Sequence, residues 1–227
     1  FVMGENAWRE SGTWPPADTA ANTLCFGAAA DSETLQLGGC DTPSAEPHSR
    51  FTADPANPVH DPYTTRGPHD YRALASRSDL LVFESEVLAD DVTVAGNAVA
   101  RVFVSCDCRD FDLWVRMLDV YPDGRAMNLM SPGADSLRAS YRNTAVGREL
   151  LTPGVVYELT LGGILTANRF AAGHRIQLQV SASFAPHLSR NLQTGESEMT
   201  SAVSRPAEIT IHHSTEHPSR LILPVLP

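Results

Sequence analysis

Residues 110–126 read Asp110-Phe111-Asp112-Leu113-Trp114-Val115-Arg116-Met117-Leu118-Asp119-Val120-Tyr121-Pro122-Asp123-Gly124-Arg125-Ala126. Phe111, Leu113, Val115 and Met117 alternate with Asp112, Trp114 and Arg116. In an extended chain successive side chains point to opposite faces, so this spacing predicts a strand with one dry and one wet side. The run stops at Pro122-Asp123-Gly124. Proline presets φ, aspartate bonds its own backbone and glycine accepts a positive φ, so the tripeptide predicts a tight turn into a strand around 126–130.

The same alternation recurs on either side. Ile176, Leu178 and Val180 alternate with Gln177, Gln179 and Ser181. Val155, Tyr157, Leu159 and Leu161 alternate with Val156, Glu158 and Thr160; Leu137, Ala139 and Tyr141 with Arg138, Ser140 and Arg142; Ile209 and Ile211 with Glu208, Thr210 and His212. Ala95-Gly96-Asn97 reads as a break between two strands, and Thr152-Pro153-Gly154 and Ala172-Gly173 as turns before strands. Helical periodicity is almost absent. About ten to twelve strands at this spacing predict an all-β chain, a two-sheet jelly-roll β-sandwich of the galactose-binding-domain-like kind. Two segments do not read as core. Ala28 to Glu33 is a polar hairpin tip, and residues 43–77 are rich in Pro, His, Asp and Arg, with a strand only around Arg50 to Ala53. A loop that long in a compact domain is functional or lies against another part of the molecule.

A chain of 227 residues that is 42% hydrophobic buries a real core. No apolar run reaches membrane-span length, and residues 1–8 lack the pattern of a signal peptide. With Phe1 in place of an initiator Met, the sequence is expected to begin inside a longer protein. All 17 basic residues are Arg, and the net charge is −10. That balance argues against a nucleic-acid groove and against docking on an anionic membrane, both of which need clustered positive charge.

Motifs that carry chemistry are missing. There is no Gly-x-Ser-x-Gly elbow, no lysine for Ser-x-x-Lys, no His-Glu-x-x-His, and no phosphate-binding glycine loop. Asp107, Asp110 and Asp112 read as a solvated strand end rather than a calcium site. His212 and His213, adjacent in a strand, point to opposite faces and read as surface or packing residues. Asp54, His60, Asp61, His69 and Asp70 gather in the long loop without a spacing that fixes a catalytic or metal site. Cys25 and Cys40 flank a hairpin and can pair in an oxidising compartment; Cys106-Asp107-Cys108 reads as free thiols. Neither metal nor cofactor is expected. Asp119 lies among apolar neighbours, and a buried carboxylate needs a partner: Arg101, Arg138 or Arg175.

Taken in order, several stretches resemble one family. They are Phe1-Val2-Met3-Gly4-x-Asn6-x-Trp8-Arg9 with Trp14-Pro15, Asp54-Pro55-Ala56-Asn57-Pro58-Val59, and Asp70-x-Arg72 with Arg77-x-Asp79-x-Leu81-Val82-Phe83-x-Ser85. Asp110-Phe111-Asp112 with Leu118 to Ala126 follows, then Leu151-Thr152-Pro153-Gly154 with Tyr157-Glu158-Leu159, Ala172-Gly173-His174-Arg175-Ile176, Arg190-Asn191-x-x-Thr194-Gly195 and Glu216-His217-Pro218-Ser219. The pattern is similar to the C-terminal domain of the serine hydrolases that include X-Pro dipeptidyl-peptidases, cocaine esterases, α-amino acid ester hydrolases and glutaryl acylases. The resemblance spans essentially the whole chain, residues 1–227. It implies that the catalytic Ser, Asp and His lie upstream of Phe1, so that no catalytic residue is expected here. It further implies a partner, the α/β-hydrolase domain of the parent enzyme, with homodimerisation compatible. Residues 1–20 would lead in from that domain, with Trp8, Arg9 and Trp14 packing against it, while core packing is an equal reading for Trp8 and Trp14. His60, Tyr63, His69 and Tyr71 would line the substrate pocket, where relatives carry a longer loop with a Leu-Phe pair. Asp119, Arg175, Arg190 and Asn191 are assigned structural roles. The localisation is unknown from the sequence; the bacterial cytoplasm is the expectation, with secretion still open. The competing reading is a free-standing carbohydrate-binding or oligomerisation module, for which Trp114 and Tyr141 would offer an aromatic platform.

Overall fold

The computed structural model describes residues 1–29, 35–41 and 44–227. Through them run β1 (Ala20–Ala28), β2 (Leu35–Gly38), β3 (His48–Ala53), β4 (Leu80–Ser85), β5 (Val92–Cys106) and β6 (Asp112–Val120). Then come β7 (Ala126–Asn128), β8 (Ser136–Arg138), β9 (Tyr157–Phe170), β10 (Arg175–Ser181), β11 (Ala207–His212) and β12 (Arg220–Leu226). Among the described residues helix is confined to two short 3₁₀ turns, Arg72–Ser76 and Ala139–Tyr141. The chain is all-β, as its alternation predicts. The strand order is β3-β11-β5-β12-β1-β2-β4-β10-β6-β7, with β9 on β5 and β8 on β6. Among the described strands only β2 and β4 pair in parallel. The long β5 is the hub: β9 runs along one edge, and β12 and β11 share the other.

This ribbon doubles over a main core. Phe83 of β4, Val102 of β5, Val115 of β6, Leu159 of β9, Leu178 of β10, Ile209 of β11 and Leu221 of β12 are all fully buried in it. Each such side chain contributes about 1.5–3 kcal/mol relative to exposure. The turn at Pro122-Asp123-Gly124 forms as expected: Gly124 has φ +83° and its N–H donates to the Tyr121 carbonyl at 2.8 Å.

The expected wet face of β6 is dry. All nine of its residues are buried, because residues 54–76 are draped across it. Val59, Tyr71 and Leu74 from this flap pack with Trp114, Leu118, Val120, Ala126 and Phe184 in a second, smaller core. Backbone bridges His60–Ala185 and Asp70–Met127 pin the flap. On β10, Gln177 and Gln179 are buried too, and Gln179 Nε2 donates to the Tyr71 carbonyl at 3.1 Å. Alternation separates polar from apolar side chains, but polar side chains that find partners can also be covered.

Four smaller expectations also change. Gly96 does not break a strand: β5 runs through it with φ +148°, and a Cβ there would meet Pro224 Cγ at 2.8 Å and Pro15 Cβ at 2.9 Å. Glycine at that position admits two prolines against the backbone. The strand expected through Leu137 to Tyr141 ends at Arg138 and becomes a 3₁₀ turn. Val155 precedes its strand, which starts at Tyr157 and continues to Phe170. The cysteines are bonded Cys25–Cys40 and Cys106–Cys108, which overturns the free-thiol reading of the second pair. The bend after β5 brings those two Cα atoms to 5.2 Å, within disulfide reach. Most of the expected hairpin tip at Ala28 to Glu33, and Pro43, lie outside the described residues.

Candidate functional site

Beneath the flap, Arg116 is 3% exposed. Its guanidinium carbon sits 4.3 Å from the Tyr71 ring centroid and 4.0 Å from that of Phe184. Its Nε lies 3.7 Å from Oδ2 of buried Asp135. Nearby, Asp61 accepts the Tyr63 N–H (3.0 Å) and the Tyr71 hydroxyl (3.2 Å), and His187 Nε2 lies 2.7 Å from its other oxygen. Burial pushes the Tyr71 hydroxyl pKa up to about 12. Tyr71 is therefore a neutral core residue.

Of the four residues expected to line a pocket, three come together. Tyr63 stacks on His69 with ring centroids 4.1 Å apart and meets Tyr71 edge-on at 5.2 Å. The Tyr63 hydroxyl donates to the Asp70 carbonyl at 2.7 Å. His60 is exposed, and no ring contact or side-chain hydrogen bond joins it to the trio among the described residues. Trp114 is 1% exposed beneath Phe184, so it offers no sugar-stacking platform, although Tyr141 is exposed.

Asp119 finds His174 rather than an arginine, with Nδ1 at 2.7 Å. Burial raises the Asp119 carboxyl pKa, and His174 opposes that rise. Arg175 instead donates to the Ser85 carbonyl at 2.7 Å and lies 3.4 Å from Glu84. Arg190 donates to the Pro55 carbonyl at 3.0 Å. Asn191 donates to Asp112 at 3.1 Å and accepts the Gln193 N–H at 2.8 Å. The solvated strand end expected at Asp107, Asp110 and Asp112 holds only for Asp107. Asp110 is buried and accepts the Ser140 N–H and hydroxyl; Asp112 is buried and accepts from Arg138 at 2.8 Å. His187, Phe184 and Asp135 carried no sequence signal beyond residue type, because their roles depend on the flap.

The elements of a serine relay are present but scattered. His213 lies between two serine hydroxyls, Ser49 at 2.8 Å and Ser44 at 3.0 Å, with no carboxylate. His212 has Ser105 at 2.9 Å. The pairs His187–Asp61 and His174–Asp119 lack a serine. Among the described residues no serine, histidine and carboxylate are hydrogen-bonded in series, and no three His, Cys, Asp or Glu side chains are arranged for a metal. This is not the geometry of a nucleophile activated by an oriented base.

A hollow of about 540 Å³ lies elsewhere, at the N-terminal segment. Met3 joins the edge of β9 in parallel, donating to the Ala167 carbonyl at 2.9 Å and accepting the Arg169 N–H at 2.8 Å. The segment then stands off the sheet, leaving Phe1, Trp8, Arg9 and Trp14 around the hollow with Leu226. Trp8 is 82% exposed and Trp14 54%. Trp8 touches Phe1 edge-on, and Arg9 pairs with Glu5 at 3.0 Å.

Residues 1–222 match the family described as the X-Pro dipeptidyl-peptidase C-terminal non-catalytic domain. The chain is similar to the cocaine esterase of Rhodococcus sp. (strain MB1 Bresler), 37% identical over 243 residues covering all of this chain and 41% of that protein. A putative serine esterase of Mycobacterium tuberculosis (strain CDC 1551 / Oshkosh) is 26% identical, covering all of this chain and 37% of that protein. Among solved structures, an aminopeptidase of the marine sediment archaeon Thaumarchaeota archaeon superposes with a TM-score of 0.83 at 28% identity, covering all of this chain and 40% of that one. An α-amino acid ester hydrolase superposes at 0.84 and 24% identity over 98% of this chain and 40% of that one, a likeness of fold alone. The chain thus spans about two-fifths of the length of the relatives it matches. An all-β chain without a catalytic relay among its described residues, matched almost end to end, belongs to the family of C-terminal non-catalytic domains of X-Pro dipeptidyl-peptidases.

Proposed function

We propose that this chain is the accessory β-sandwich of a serine hydrolase that cleaves ester or amide bonds. It packs on the α/β-hydrolase domain of that enzyme, and the flap edge bearing His60, Tyr63 and His69 closes one side of the substrate pocket. The observation that carries this reading is the pair of exposed tryptophans around the N-terminal hollow. A tryptophan brings about 150–250 Å² of surface to an interface, and contiguous exposed aromatic surface marks a contact site. Two further facts support it: the relatives named as esterases and an aminopeptidase are more than twice as long as this chain, and the family is described as non-catalytic.

The test is a pair of melting measurements on Trp8→Ala/Trp14→Ala. In the isolated chain the double change leaves the melting temperature within about 2 °C, because exposed side chains contribute little. In the chain joined to its hydrolase portion, it lowers the melting temperature and the hydrolytic rate. An unchanged melting temperature in the joined protein overturns the proposal.

A further inference from the structure

Six basic side chains share the outer face of the sheet where β3, β11, β5 and β12 lie side by side. Strand register places them there. His212 stands opposite His48 on one side and Phe103 on the other; Thr210 stands opposite Arg50 and Ser105; Arg220 stands opposite Arg101. Residues directly opposed in antiparallel strands present side chains on the same face, with Cβ atoms about 4.5–5.5 Å apart. Their sequence neighbours Ala100, Val102, Val104, Ile209, Ile211 and Leu221 point into the core, so this set points outward. His217, in the turn before β12, lies over the same face, its ring 5.7 Å from His212 and 5.4 Å from Phe103.

This face carries three arginines, Arg50, Arg101 and Arg220, and three carboxylates, but among the described residues no carboxylate comes within hydrogen-bond reach of these guanidinium groups. Glu158 of β9 reaches Arg101 only at 3.9 Å, Glu208 of β11 reaches Arg50 at 3.6 Å, and Glu216 is exposed in the turn beside His217. Arg101 and Arg220, like charges directly opposed across a strand pair, sit in an arrangement that costs stability. Neither donates a hydrogen bond to a described residue, and the Nε of each is buried without a hydrogen-bond partner, that of Arg101 lying 3.9 Å from Glu158. Elsewhere in this chain of net charge −10, Arg72, Arg77, Arg125, Arg138 and Arg205 each hold a carboxylate within hydrogen-bond reach. The planar guanidinium fork is shaped for bidentate contact with a tetrahedral oxyanion.

We propose that Arg101 and Arg220, backed by His212 and His217, form a binding site for the dianionic phosphoryl group of a phosphate monoester or of free phosphate. The site does not depend on the reading of the parent as a hydrolase. It lies at the Arg101 and Arg220 end of β5 and β12, whereas Ala95 and Leu226, at the other end of those strands, line the tryptophan hollow. Burial, the charges of His217 and His48, and Arg50 hold His212 below its ordinary pKa. An anion seated here offsets the repulsion from His217, His48 and Arg50 and favours the protonated ring, so binding tightens as pH falls.

Arginine Nε–H resonances of the full 227-residue chain, followed by NMR at constant ionic strength, test this directly. Titration with sodium sulfate, a dianion throughout the range, should shift the Arg101 and Arg220 resonances saturably at millimolar concentration. Affinity should rise at least about threefold between about pH 8 and pH 5.5, the range over which histidine gains its proton. Arg101→Gln/Arg220→Gln should weaken binding at least about tenfold, the loss of roughly 1.4 kcal/mol or more. His212→Gln/His217→Gln should flatten the pH dependence. Arg125→Gln, whose residue pairs with Asp123 in the 122–124 turn, should change nothing. Glucose 6-phosphate against inorganic phosphate at pH 8 identifies the source: tighter ester binding assigns a phosphorylated ligand, equal binding assigns the free ion. Absence of saturable shifts at the wild-type Arg101 and Arg220 resonances overturns the proposal, as does equal weakening by Arg125→Gln. The wild-type shifts keep the test decisive if a variant fails to fold.

Discussion

Replacing Arg116 with alanine probes the polar layer that holds the flap on the sheet. The guanidinium is enclosed by Tyr71, Phe184 and Asp135, and its Nε and Nη1 have no hydrogen-bond partner among the described residues. The layer itself therefore adds little net stability; the cost arises when one member is removed. Leaving Asp135 buried without its cation costs about 3–5 kcal/mol. Loss of the desolvated cation–π contacts adds about 2 kcal/mol, fewer if the two rings share one cation. The expected total is about 4–6 kcal/mol, which at this chain length lowers the melting temperature by roughly 8–24 °C. Arg116→Met with Asp135→Asn should recover at least half of that, because no uncompensated charge remains. Urea unfolding reports both, followed by Trp114 fluorescence in a Trp8→Phe/Trp14→Phe background, since Trp114 lies in the same cluster. A loss below about 1 kcal/mol for Arg116→Ala, or a double variant no better than the single, would refute the reasoning.

Three further outcomes are expected. Gly96→Ala should cost about 2–5 kcal/mol in urea unfolding, since it forces a Cβ against Pro15 and Pro224 at a positive φ; a neutral change would show that those prolines move aside freely. His213 is buried, and desolvation together with His48 holds its pKa down at about 4 against the ordinary 6.5. The unfolded chain thus takes the proton first: the stability is whole above pH 6.5 and is lost as pH falls to about 4, by up to about 3 kcal/mol. His213→Gln should flatten that slope in melting curves, and an unchanged slope would count against it. Thiol titration of the denatured, unreduced chain should find no free cysteine, and two or more would contradict the pairing.

How much of this was legible in the sequence depended on the range of the interaction. Ile176, Leu178 and Val180 announced their strand because period-2 alternation is local. Pro122-Asp123-Gly124 announced its turn for the same reason. Alternation could not show that Trp114, Arg116 and Gln179 are covered, because their cover comes from residues 54–76, whose Pro and His content reads as a loop. Gly96 carries a break signal that is indistinguishable locally from a site of close backbone approach. His174 lay at a turn, and only the pairing of β6 with β10 brings it to Asp119. The pairing of Arg101 with Arg220 likewise exists only in the register of β5 with β12. Trp8 and Trp14 were legible as candidates for packing, but their exposure was not.

The claim most exposed to test is that these residues hold no assembled nucleophile. Incubation of the purified 227-residue chain with an excess of a fluorophosphonate, followed by intact-mass and peptide analysis, addresses it directly. No serine should acquire a stoichiometric adduct, and p-nitrophenyl ester turnover should match the buffer blank. One serine labelled to completion, with turnover lost in step, would contradict it.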